Sequence, residues 1–197
     1  AYTTVSQLGL LVCMYGVGAV QHHHETILSW PVMQILNHAL YKAPLFIIAG
    51  AIMHIAGRKY LSQLSGLLKS HFHLAMICLL ACYAMAGGPL TLSFIPKEAF
   101  LHQVYEAAQT NSVFWIIAGM TVLTAACNVA IFVRFLRTFL APAHHGHAHD
   151  DHDHHHAHEH GFWGSCIWWP AAFIVAFQFI GGLVTPLFGT WISPVET

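Results

Sequence analysis

Charge is scarce in this chain: seven Lys and Arg and eight Asp and Glu amount to 8% of 197 residues, against about 25% in a soluble globular domain. Beside 56% hydrophobic residues, that leaves too little polar surface to clothe a water-soluble fold and describes an all-α polytopic membrane protein. A net charge of -1 with no basic stripe argues against nucleic acid as a partner. There is no CxxC pair: Cys13, Cys78, Cys82, Cys127 and Cys166 are scattered through apolar runs, as small apolar fillers are. P-loop, GxGxxG, HExxH and GxSxG motifs are also missing, as is a cysteine set for an iron–sulfur cluster. Nucleotide chemistry, redox chemistry and a bound cofactor are therefore not expected. The chain opens AYTTVSQLGLLV without an initiator Met or a charged leader, so no signal peptide is read and a fragment or processed piece is expected.

Long apolar runs are what the chain has in abundance. Five blocks, approximately Thr4 to Val20, Val32 to Ile55, Phe72 to Glu106, Ser112 to Leu136 and Phe162 to Ile192, each reach the roughly 20 residues that cross about 30 Å of hydrocarbon as helix. The third is too long for one plain helix. Gly87-Gly88-Pro89 ends or kinks its first piece, and a second piece is expected from Pro96 to Ala108. An interrupted span survives only where protein or a watery cavity satisfies the freed backbone. About five transmembrane helices, one of them discontinuous, are expected: a four-span segment over 1–140 broken near 87–97, a linker over 141–161, and an additional helix over 162–192. Pro44 is expected to bend the second helix beside Lys42.

Basic residues orient these spans. Arg58, Lys59 and Lys69 lie between spans two and three, and Arg134 and Arg137 close span four. With span three as one broken crossing, all five share a side, which the positive-inside rule makes cytoplasmic. Trp30, Trp115, Trp163, Trp168, Trp169 and Trp191 fall near span ends, as interfacial aromatics do. The linker HHGHAHDDHDHHHAHEHG, His144 to Gly161, holds ten of the eighteen histidines and has nothing with which to build a core, so a cytoplasmic loop is expected. His22, His23 and His24 form a smaller cluster on the opposite side.

Within the apolar blocks, chemistry rests on lysine and histidine. Lys42 stands about 10 residues inside its span, some 15 Å along the helix, where an ammonium is costly unless water or a proton path reaches it. His38 precedes it by one helical turn, and Gln34 precedes His38 by another, giving a polar stripe beside Asn37 that can line a hydrated half-channel. The plainer alternative is a snorkelling lysine and a hydrogen-bonded core histidine. Lys97 lies beside Pro96 and Glu98 in the break of span three. Held between apolar surroundings and water or a carboxylate, it can exchange a proton as its neighbours change. Equally, Pro96 and Glu98 could open an ordinary surface helix.

None of the acidic residues, Glu25, Glu98, Glu106, Asp150, Asp151, Asp153, Glu159 and Glu196, lies in a clean apolar core. That argues against a sodium pocket built on carboxylates, since hard cations want oxygen ligands. The histidine tract can bind zinc, nickel or copper without one defined geometry, or serve as a soluble spacer, so no metal site is assigned. His54, His71 and His73 either extend a proton access route or sit hydrogen-bonded at the interface.

The ordered set AYTTVSQLGLL, NHALYKAPLFIIAGAIMH, SQLSGL, AMAGGPLTLSFIPKEAF and NVAIFVRFLRTFL, roughly Ala1 to Leu140, resembles the second half of the proton-translocating antiporter-like subunits. That family comprises the large subunits of Mrp-type sodium/proton antiporters and the pump subunits of complex I, and NHALYKAPLF resembles the Mrp A subunit more closely. The resemblance implies part of an inverted-repeat fold and a path of Lys, His and water for protons. By motif match, Lys97 takes the place of the essential lysine of the discontinuous helix. His38 and Lys42 take those of the connecting helix. Gln34 stands where the family often has another histidine, and GGPLTLSFIPKE replaces the usual GLPPxSGFxSKE. The His-rich linker is not a family feature. The implied function is cation (Na+)/proton exchange in a multisubunit complex of a bacterial-type cytoplasmic membrane, with a complex I-type pump subunit as one alternative and a metal-binding membrane protein as another. The implied partners are other hydrophobic subunits, protons and Na+, and the missing N-terminal half. A transporter subunit rather than an enzyme is expected, unless it belongs to a complex I-like translocase.

Overall fold

An apolar chain in hydrocarbon has no water to satisfy its backbone, so its segments close their hydrogen bonds internally as helices. The computed structural model describes residues 2–20, 29–56, 71–141 and 168–184, and all regular structure among them is helical. The helices are α1 Tyr2–Val20, α2 Ser29–Ala56, α3 Phe72–Ala86, α4 Phe94–Thr110, α5 Phe114–Leu140 and α6 Trp169–Val184. Three carry stretches long and apolar enough to cross a membrane: Thr3–Val20, Trp30–Met53 and Phe114–Leu140. Helices α3 and α6 are shorter apolar helices. The molecule is an all-α polytopic membrane protein with at least three membrane-spanning helices. The His144 to Gly161 tract, His22 to His24, Arg58, Lys59 and Lys69 lie outside the described residues.

Prolines mark helix starts where no backbone N–H is needed. Pro31 in α2 and Pro170 in α6 both fall in a first turn. Pro44 is different: α2 continues through it to Ala56 as one helix. The third apolar block is two helices with residues 87–93 between them. Here the expectation needs correction, because the second piece begins at Phe94 rather than Pro96, and Lys97 stands in the first turn of α4 rather than in the break. A proline at the third helical position is tolerated because the first-turn N–H groups have no intrahelical acceptor.

Packing shows how the pieces run. Helix α5, 27 residues long, spans about 40 Å and lies against both α4 and α3. Its first turns, with Phe114, Ile117 and Ala118, pack on Phe100 and Val104 of α4 and on Met14 and Val17 of α1. Its last turns, with Phe132, Phe135, Leu136 and Phe139, pack around Leu74, Ala75 and Cys78 of α3, Ile48 and Ile52 of α2, and Ala171 and Val175 of α6. Helices α3 and α4 thus follow one another along the length of α5, antiparallel to it. Ala51, Ala75, Ala81 and Ala171 are fully buried, small residues that let helix backbones approach where lipid supplies no hydrophobic drive between helices. Outward-facing Ile116, Met120, Val122 and Leu123 of α5 are exposed, as a lipid-facing surface requires.

Tryptophans sit where interfacial anchors belong. Trp30, Trp115 and Trp169 each fall in the first turn of a helix, and Trp168 stacks on His73 at 5.3 Å. Arg134 and Arg137 lie in the last turns of α5, at the end of the bundle where α3 begins. Trp168 packs around the same cluster as Phe139, so the described chain on both sides of residues 142–167 lies at that end. Cys78 and Cys82 are buried fillers, while Cys13 and Cys127 face outward; all four are unbonded.

Candidate functional site

The end of α3 is a built structure rather than a frayed one. Gly87 adopts φ +81, a left-handed conformation open to glycine at little cost. Gly88 N–H donates to Tyr83 O at 3.1 Å and Gly87 N–H to Ala84 O at 3.0 Å, the paired bonds of a Schellman motif. These satisfy two of the four carbonyls a helix leaves open at its C-terminus. Met85 O is another of the four. It accepts a 2.8 Å hydrogen bond from Lys97 Nζ. The ammonium therefore sits on the negative end of the α3 dipole, where a cation is favoured. A methyl group at Gly87 would come within 2.9 Å of Lys97 Cδ, so the same glycine permits both the turn and the lysine's approach.

Residues 87–93 are held on several sides. Thr91 Oγ1 donates to Gly88 O at 2.7 Å, and Tyr83 Oη donates to Pro89 O at 3.2 Å. Asn37 Nδ2, from α2, donates to Leu92 O at 3.2 Å. From α6, Gln178 O accepts Leu92 N–H at 3.1 Å, and Gln178 Nε2 contacts Ser93 Oγ at 2.7 Å. Leu90 holds φ +67, an uncommon conformation for a residue with a side chain.

Lys97 opens into a recess of about 280 Å³ between α1, α4 and α5. Its polar lining comprises Lys97, Glu98, Gln7, Thr121, Thr124 and Asn128. The expected closeness of Lys97 to a carboxylate takes another form. Glu98 is exposed at the mouth, and among the described residues the close carboxylate–base pair is His102 with Glu106, at 3.6 Å. Gln7 leads onward: its Oε1 accepts from Gln34 Nε2 at 2.8 Å, both residues being buried.

The stripe on α2 is present, but its members turn to separate partners. Lys42 Nζ donates to Thr3 Oγ1 of α1 at 2.6 Å and lies 5.7 Å from the Phe46 ring centroid. His38 Nδ1 is 3.0 Å from Tyr41 Oη. Tyr41 is 1% exposed and packs against Ala84 and Met85, the residue whose carbonyl holds Lys97. Tyr41 links His38, beside its hydroxyl, to Met85, whose carbonyl holds Lys97, and Gln7 links Gln34 to the Lys97 recess. The Lys97 amine thus donates to Met85 O and borders the polar recess.

Sequence reasoning passed over Tyr41, Gln7, Ser93 and Gln178. Tyr41 had a signal, since residues three apart on a helix share a face. Gln178 had one too, as the lone amide in apolar α6. The buried oxygens Gln34 Oε1, Asn37 Oδ1 and Gln178 Oε1 have no hydrogen-bond partner among the described residues. The Asn37 amide is fixed in orientation, because Leu92 O can only accept. No group of three His, Cys, Asp or Glu able to hold a metal occurs among the described residues. The side chain of His54 lies outside them; His73 is exposed and His71 is half-buried.

Residues 1–124 match the family described as "NADH:quinone oxidoreductase/Mrp antiporter, TM". Among curated relatives, the Na(+)/H(+) antiporter subunit A1 of Staphylococcus aureus strain JH9 is 34% identical over 119 residues, covering 56% of this chain and 15% of the relative. The subunit A1 proteins of strains Newman and N315 match to the same extent. The chain spans about 15% of the length of the curated relatives it matches. The matched residues include α1 to α4, the break, Lys97, Lys42 and His38. This chain belongs to the NADH:quinone oxidoreductase/Mrp antiporter transmembrane family.

Proposed function

We propose that the chain is part of an ion-translocating membrane subunit of an Mrp-like monovalent cation (Na+)/proton antiporter. Protons move along lysine, histidine and water, with Lys97 as the loading site and His38 and Lys42 as intermediates. The bond from Lys97 to the Met85 carbonyl carries this proposal. An amine held against a helix end inside an apolar bundle, beside a polar recess, is arranged for proton exchange rather than for snorkelling to a lipid headgroup. In this proposal α3 and α4 form one discontinuous crossing, the spans number five with α6, and the whole is part of an inverted-repeat unit. Residues 1–140 make the transport segment, 141–161 a cytoplasmic linker and 162–192 an additional span.

Coupling arises because charge on one base alters the cost of charge on the next, by several kcal/mol at low effective dielectric. The matched relatives are named Na(+)/H(+) antiporter subunits, which favours exchange over the complex I-type pumping that the same family includes. Other hydrophobic subunits and the rest of the transport unit complete the path, in a bacterial-type cytoplasmic membrane. Replacing Lys97 with alanine in the full subunit, within its assembled complex, is expected to reduce Na+-driven proton exchange in everted vesicles to background while the complex still assembles. Exchange at the parent rate would refute the assignment.

A further inference from the structure

Helix α6 begins after the last residue of the family match, yet its backbone packs directly against the break. An added Cβ at Gly182 would lie 2.4 Å from Thr91 C, 2.5 Å from Leu90 O and 2.6 Å from Leu92 N. Those are backbone atoms, which cannot swing aside as a side-chain tip can. One residue earlier, the atoms nearest a Cβ at Gly181 would be those of the Leu92 side chain, at 3.4 Å and beyond, an ordinary contact. Gln178, one turn before Gly182, is 1% exposed. It grips the same strand of chain twice, through its carbonyl to Leu92 N–H and through its amide to Ser93 Oγ. Ser93 is the N-cap position of α4, and Lys97 follows four residues later, one helical turn along.

We propose that α6 is the positioning helix of the Lys97 site, with Gly182 as the seat on which Thr91 and Leu92 rest and Gln178 as the clamp that sets where α4 begins. Lys97 reaches the Met85 carbonyl from a helix whose start is held by α6. If the break lifts from Gly182, the first turn of α4 moves and Lys97 leaves its acceptor. The proposal rests on the transport role given to Lys97 above. It adds that a helix outside the matched segment is part of the working unit.

The two neighbouring glycines supply an internal control. Glycine to alanine raises helix propensity equally at both, so a difference between them reads the contact with the break and not the health of α6. Gly181→Ala, Gly182→Ala, Gln178→Ala and Lys97→Ala are made in the full-length subunit within its complex. Each is assayed in everted vesicles by the NaCl-induced collapse of a proton gradient across a range of pH, normalised to assembled complex. Expected are background exchange for Lys97→Ala, Gly181→Ala within about twofold of the parent, and Gly182→Ala at least tenfold below it. Gln178→Ala is expected to show a reduced rate with its pH profile displaced, because the setting of Lys97 has changed. Loss of folded complex alone would scale the profile without moving it. Of the side chains lining the Lys97 recess, Glu98 is the other titratable one, while α1 and α5 contribute Gln7, Thr121, Thr124 and Asn128.

Parent rates and profiles in both Gly182→Ala and Gln178→Ala, beside a silent Lys97→Ala, would overturn this inference and leave the Lys97 assignment standing. Equal losses in Gly181→Ala and Gly182→Ala would also overturn it. Should Gly182→Ala fail to assemble, Gln178→Ala decides: a displaced profile supports the positioning role and the parent profile refutes it. A transporting Lys97→Ala would instead remove the proposed function on which the inference rests.

Discussion

A lysine among apolar helices needs a partner for its amine, and Lys97 and Lys42 have different ones. Lys97 is held by a main-chain carbonyl at a helix end, which no side-chain substitution at Met85 removes. Lys42 is held by the Thr3 hydroxyl, so Thr3→Val should deprive it of that acceptor. Exchange is then expected to slow about tenfold, the factor that roughly 1.4 kcal/mol represents; an unchanged rate would remove Thr3 from the path. Tyr41→Phe deletes the hydroxyl beside His38 Nδ1 while keeping the buried ring. A hydrogen bond worth about 1 kcal/mol corresponds to about a fivefold slower exchange, measured at equal complex content. Both lysines and His38 were legible in the sequence as bases in apolar runs. Their partners were not, because Thr3 and Met85 are ordinary residues whose importance comes from tertiary approach.

The helices themselves follow from uncharged runs, and Gly87-Gly88-Pro89 announced the interruption between α3 and α4. What the pattern could not fix was where α4 resumes. Pro96 reads as a first-turn residue, but the helix runs from Phe94, directly after Ser93, which Gln178 contacts from 85 residues away, and Lys97 moves from the break into the helix. Two glycines in the turn are required for different reasons. Gly87→Ala forces a side chain into the left-handed region, costing about 1–2 kcal/mol, and crowds Lys97 Cδ at 2.9 Å. Gly88→Ala would drive a methyl group to 2.1 Å from the Tyr83 ring. Thermal denaturation of the purified complex should therefore rank Gly88→Ala below Gly87→Ala, and both below the parent. A parent-like midpoint for Gly88→Ala would mean that the turn is not built as described.

At the scale of the whole molecule, α3 and α4 laid end to end along α5 make one interrupted path from one end of the bundle to the other, with the polar interior where they meet. Composition disclosed the membrane class, and the family match agrees with the ordered motifs. The convergence of α1, α2 and α6 on that interior had no signature in periodicity, since apolar helices read alike on every side. Phe139 and Trp168 belong to one cluster, so replacing His144 to His160 with a Gly/Ser linker is expected to preserve exchange in chelator-treated vesicles. A loss restored by zinc or nickel would favour a metal-dependent role. The proton-loading role of Lys97 is tested most directly by Lys97→Arg, because a guanidinium keeps the charge and can still donate to Met85 O but does not release a proton in proteins. Na+-driven proton exchange by the assembled Lys97→Arg complex is predicted to fall to background; exchange near the parent rate would show that charge at this position suffices and that no proton is loaded there.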